Sequence, residues 1–120
     1  MIRLDALIVV AAAGLCVTAG HACAEPPSTP VVRLVLENHK FSPATVDVPA
    51  GRRIRVELVN RDGSAEEFDS DDLHVEKDVA PHGKAAFTVG PLSPGTYRFM
   101  GELHADTASG ELHALAPDAP

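Results

Sequence analysis

The sequence predicts an all-β protein, an antiparallel Greek-key β-sandwich of seven or eight short strands. Three observations carry that expectation. Apolar and polar residues alternate with period two in one segment after another, turn residues recur about every ten positions, and no long segment repeats with a helical period. A lone tyrosine directly after a Pro-Gly turn supplies the Greek-key element.

The first strand runs from Val31 to Leu36, where two apolar-rich sets alternate. Thr45 to Val48 forms a second and stops at Pro49-Ala50-Gly51. From Arg53 to Val59 the pattern is sharpest: Ile54, Val56 and Leu58 face the core and Arg53, Arg55 and Glu57 face solvent. Asn60-Arg61-Asp62-Gly63 is a turn cluster, after which Glu67-Phe68-Asp69 resumes an extended path. Leu73 to Val79 fits a strand or a short helix. Ala85 to Val89, Thr96 to Met100 and Gly110 to Leu115 complete the set. Tyr97, the one Tyr in a chain without Trp, follows Pro94-Gly95 in phase with Phe99. In such a corner the hydroxyl bonds back to nearby backbone and pins the crossover.

Residues 1–24 read as a cleaved secretory signal. Arg3 gives a basic start, Ala6 to Val17 an apolar stretch, and Ala22-Cys23-Ala24 the small residues of a cleavage site. The apolar stretch falls short of the roughly 20 residues a bilayer span requires. No membrane insertion is therefore expected and the location is periplasmic, with lipidation at Cys23 as an alternative fate. Residues 25–30 form a flexible leader, 31–115 one domain and 116–120 a tail. Both cysteines, Cys16 and Cys23, leave with the signal, so the mature chain has neither a disulfide nor a thiolate.

Ten basic and seventeen acidic residues give a net charge of −7. Cleavage removes one of each, Arg3 and Asp5, and the net charge is unchanged. So acidic a surface excludes nucleic acid as a partner and attracts cations. Seven of the acids (Glu66, Glu67, Asp69, Asp71, Asp72, Glu76 and Asp78) lie between positions 66 and 78. The ordinary reading of such a run is a solvated face. No G-x-S-x-G, H-E-x-x-H or phosphate-binding glycine loop is present, so no hydrolase or transferase motif stands out, and enzymatic activity is left open.

Three segments resemble the cupredoxin superfamily: Phe41-Ser42-Pro43 through Val48-Pro49-Ala50-Gly51, then Val59-Asn60, then Pro94-Gly95-Thr96-Tyr97-Arg98-Phe99. Glu67-Phe68-Asp69, Glu76-Lys77-Asp78-Val79, Gly101-Glu102-Leu103-His104 and Thr107-Ala108-Ser109-Gly110 are similar to the EfeO-type members. The resemblance implies a periplasmic metal-binding protein that handles iron, or copper, for a ferrous-iron uptake system, with ferroxidase activity as a proposed role. It also implies an iron permease or a periplasmic iron-binding protein as partner.

A blue-copper site needs two His, one Cys and an axial Met. By the family's spacing the Cys position falls on Gly101, the second His on His104 and the Met near Ala108. A blue centre is thus excluded. In its place the resemblance implies an iron or copper ion held by Glu67, Asp69, Glu102 and His104, with Glu76 as a further ligand or a partner of one. Carboxylate with imidazole suits iron, manganese, zinc or divalent copper. His39, His82 and His113 are expected to face solvent, as is Met100, and His74 is not taken as a ligand. The alternative is a metal-free sandwich that has lost the copper site and serves as an interaction domain.

Overall fold

The computed structural model describes residues 28–117. The expected signal, with Cys16 and Cys23, lies outside the described residues, as do the first three residues of the leader and the last three of the tail.

The described residues form nine strands: β1 Val31–Glu37, β2 Lys40–Ser42, β3 Thr45–Pro49, β4 Ile54–Asn60, β5 Glu66–Ser70, β6 Val75–Val79, β7 Lys84–Val89, β8 Gly95–Gly101 and β9 Ser109–Leu115. Among the described residues a single 3-10 turn, Glu102–His104, follows β8, and no α-helix occurs. No described helix is long and apolar enough to cross a membrane.

The strands form two sheets, ordered β2-β1-β4-β7 and β3-β9-β8-β5-β6. The sandwich is the expected one, with two differences. The three-residue β2 adds a strand too short to show alternation, with Phe41 its one buried residue. The sheets are also mixed rather than antiparallel throughout, because β1 pairs with β4 and β3 with β9 in parallel. Strand pairs whose chain returns through the other sheet need not alternate in direction, and sequence periodicity carries no sign of direction. Leu73 to Val79 resolves into a turn and a strand: Leu73 is buried, His74 has φ 58°, and β6 starts at Val75.

Inward residues of both sheets close one core. Ile54, Val56 and Leu58 are buried as the alternation predicts, with Val32, Leu34 and Leu36 beside them on β1. Four phenylalanines knit the sheets: Phe68 packs against Phe41, Phe87 and Phe99 with ring centroids 6.0, 4.8 and 5.0 Å away. Tyr97 forms the expected corner, its hydroxyl donating to the Ser93 carbonyl at 2.7 Å.

The β5–β8 pairing is brief, joining Phe68 to Gly101 and Asp69 to Met100. Beyond it, side chains replace the ladder. Ser70 Oγ donates to the Arg98 carbonyl at 2.6 Å, and Asp72 Oδ2 accepts from the Arg98 amide at 2.9 Å. Part of the acidic run is therefore structural.

Candidate metal centre at one end of the sandwich

The β1–β2, β4–β5, β6–β7 and β8–β9 connections meet at one end. Asn60, buried at the end of β4, holds them. Its Nδ2 donates to the carbonyls of Ser64 and Ala80 at 2.9 and 3.1 Å, and its Oδ1 accepts from the Asp62 amide at 3.0 Å. Asp62 in turn fixes the β1–β2 turn. Its two oxygens accept from the amides of Asn38, at 2.7 Å, and His39, at 2.9 Å. Both turn residues have positive φ, 56° and 58°. The His39 amide, followed by that of Asn38 and the charges of His39 and His104, holds the Asp62 carboxyl below its ordinary value.

Inside this end lies an acid absent from the expected ligand set. Glu66 is 1% exposed. Its Oε1 accepts from the amides of Glu67 and Leu103 at 2.9 and 2.8 Å, and its Oε2 lies 2.6 Å from His104 Nδ1. Oε1 thus accepts two N–H bonds, and Oε2 shares one proton with His104 Nδ1. A Cβ on Gly101 would lie 2.6 Å from Glu66 Cδ, 2.7 Å from its Oε2 and 3.0 Å from Ala108 Cβ. The Glu66 carboxyl thus fills the space a side chain at 101 would use. A copper–thiolate centre does not fit here: position 101 has no sulfur, Ala108 is fully buried, and Glu66 occupies the gap.

The expected ligands fall into two groups. Glu67, Asp69 and Glu76 lie on the outer face of the five-stranded sheet, where Asp69 opposes Glu76 and Glu67 opposes Asp78. Glu102, on the 3-10 turn, joins them. A hydrogen bond with Asp69, then the charges of Asp69 and Glu67, raise the Glu102 carboxyl above its ordinary value. Desolvation, then the charges of Asp78, Glu76 and Asp69, raise Glu67 likewise. His104 stands apart, with Nδ1 turned inward to Glu66. Among the described residues no three His, Cys, Asp or Glu side chains stand ready to hold a metal ion.

Among the other histidines, His39 departs from expectation. It is half-buried and stacks on His104, with centroids 3.6 Å apart and planes 12° from parallel. His113 bonds through Nε2 to Glu111 Oε1 at 2.9 Å. His74 and His82 are exposed, as is Met100. Strand parity held the signal for Glu66: Phe68 and Ser70 face inward, so Glu66 must also, while Glu67 and Asp69 face out. Nothing in the sequence pairs His39 with His104, because the contact joins two separate turns.

A family model described as a cupredoxin-like domain matches residues 6–114. An uncharacterized protein of Rickettsia prowazekii (strain Madrid E) is 44% identical over 79 residues, 66% of this chain and 63% of that protein. The chain thus spans less than two thirds of that relative's length. Among solved structures, auracyanin A, a "blue" copper protein of Chloroflexus aurantiacus, superposes with a TM-score of 0.62 at 11% identity over 72% of this chain and 99% of its own. Auracyanin of Roseiflexus castenholzii gives 0.59 at 16% identity over 78% and 100%. A chain of a heme-copper terminal oxidase dimer gives 0.60 at 10% over 71% and 64%. At these identities the likeness is one of fold.

Proposed function

The chain belongs to the cupredoxin-like domain family, and from that premise we propose that it is a periplasmic metal-handling protein without a blue-copper centre. Its cargo is iron, or copper, in the service of a ferrous-iron uptake system, and its partner is a permease or a periplasmic iron-binding protein. One observation carries the reading: four of the sequence's candidate ligands, Glu67, Asp69, Glu76 and Glu102, gather on one face beside the His104 turn. Desolvation first raises the Glu67 carboxyl and a hydrogen bond with Asp69 first raises that of Glu102, and repulsion from the neighbouring acids adds to both. A bound cation relieves that repulsion. Oxygen donors favour ferric over ferrous iron, so ferroxidase activity would need a one-electron acceptor from outside the chain.

Calorimetric titration with ferric and cupric ions tests the reading. Glu102→Gln and His104→Ala should each bind more weakly than the wild-type protein, with circular dichroism unchanged. Equal affinity in all three removes these residues from the site. A second reading, the metal-free interaction domain, is favoured by the Glu66 network, which satisfies this end of the sandwich with protein groups alone. Failure of the wild-type protein to bind either ion selects it.

A further inference from the structure

The outer face of the four-stranded sheet is open among the described residues. Its adjacent strands β1, β4 and β7 turn Val35, Val59 and Ala86 outward as a small apolar floor. Arg33, Arg55 and Lys84 stand around that floor, and together these side chains line a concavity of about 610 Å³. Its charges do not balance. Glu57 is the one acid lining it, and Arg33 and Arg55 share that carboxylate at 3.3 and 2.9 Å. Lys84 is exposed and forms no salt bridge among the described residues.

The outer face of the other sheet has the reverse surplus. Across β5 and β6, Glu67 lies opposite Asp78 and Asp69 opposite Glu76. Four carboxylates therefore share one patch, with Cβ atoms about 5 Å apart across the strands, and like charges so placed destabilise a sheet. Among the described residues none of the four forms a salt bridge. β6 is an edge strand, and its Glu76 and Asp78 are exposed.

From these two faces we propose that the chain associates with a second copy of itself, head to tail: the Arg33, Arg55 and Lys84 concavity of one copy receives the acidic β5–β6 edge of the next. Neither face suits its own likeness, since cation would meet cation and acid would meet acid. The contact is therefore heterologous, not two-fold. The net charge of −7 opposes it only at long range. Salt at about 0.1 M screens charges more than about 10 Å apart, whereas charges in contact lie inside that distance. A patch three strands wide, roughly 15 Å, is small for an interface, so the association is weak and transient. It does not rest on the metal reading: a metal ion on Glu67, Asp69 and Glu76 competes with the contact, and each is tested without the other.

The test uses protein recovered from cells after export, in a chelator and a thiol reductant, so that neither metal nor disulfide joins copies. Backbone amide resonances are compared between about 0.05 and 1 mM protein, the range that reveals weak association. In the parent two sets should move with concentration, one on β1, β4 and β7, the other on β5 and β6. Both should stay still in about 1 M salt. One variant carries Arg33→Gln with Lys84→Gln, the other Glu76→Gln with Asp78→Asn; all four positions are exposed. Each variant alone should associate ~10-fold more weakly than the parent. Mixed, they restore one intact pair of faces. The first variant, isotopically labelled, should then shift only on β5 and β6, and the second only on β1, β4 and β7. The proposal falls if the parent's spectrum does not change with concentration, which leaves the metal reading standing. It falls equally if the shifts lie elsewhere or persist at high salt, if both sets move in one labelled variant of the mixture, or if the mixture associates no better than either variant alone.

Discussion

Glu66 shows how much one side chain's direction decides at the residue scale. It lies in a run of acids that composition assigns to solvent, yet it is buried and hydrogen-bonded to two amides and to His104. Glu66→Ala strands two amides at about 1–3 kcal/mol each, so the variant should lose about 2–6 kcal/mol in urea denaturation. Glu66→Gln keeps an oxygen for both amides and should lose less than half as much. Equal losses in the two would mean that the cavity, not the hydrogen bonds, sets the cost. Asp62 fills a comparable role on the surface. Asp62→Ala frees the Asn38 and His39 amides to water and should cost only about 1 kcal/mol, since exposed donors recover a partner. Strand parity made the first of these acids legible; the second bonds a turn 23 residues away, and no local pattern encodes that distance.

Strands and turns account for most of what the sequence made plain. Alternation along β4 placed Ile54, Val56 and Leu58 correctly because a half-buried strand must repeat every two residues. The Pro94-Gly95-Thr96-Tyr97 segment announced its corner for an equally local reason. Tyr97→Phe should cost about 0.5–1.5 kcal/mol, the net worth of one such bond, and an unchanged denaturation midpoint would deny the corner a stabilising role. Strand direction and β2 stayed hidden, as did the split of the expected ligands, since each depends on how distant strands meet. Gly101 at the end of β8 is where local and distant constraints collide. Gly101→Ala sets a Cβ against the immobile Glu66 carboxyl and Ala108, and overpacking of this kind costs about 1–3 kcal/mol. If Glu66 is the obstacle, Gly101→Ala should cost less in an Glu66→Ser background than alone, and a double-mutant cycle reads that coupling. Strictly additive losses would show that the backbone at 101, rather than Glu66, resists the methyl group.

Over the whole molecule the charges divide between the sheets. Strands of the four-stranded sheet carry four cations, Arg33, Lys40, Arg55 and Lys84, against two anions, Glu37 and Glu57. Strands of the five-stranded sheet carry seven anions against Lys77 and Arg98, and Glu102 adds to them from the neighbouring turn. The folded state therefore holds Glu67 and Glu102 where a proton is welcome: both carboxyls titrate above the ordinary 4.5. An acid whose folded value is raised binds protons better folded than unfolded, so its contribution to stability falls as pH rises through that raised value. Glu57 and Asp62 act oppositely. A hydrogen bond from Arg55 lowers the first and the His39 amide lowers the second, so their contributions are lost as pH falls below about 4.5 and 3.8. Together they predict a stability maximum on the acid side of neutrality, within the ordinary carboxylate range. The melting temperature, followed between about pH 4 and 8, should rise on acidification from neutrality, pass that maximum and then fall. Salt should raise it at neutral pH, where the unscreened repulsion is largest. Glu102→Gln removes one of the two raised carboxyls and should flatten the acid-side rise while leaving the fall at lower pH intact. A melting temperature that climbs steadily toward neutrality, in parent and variant alike, would mean that the crowded acids of this face do not repel one another enough to matter, and would take from the face its reason to attract a cation.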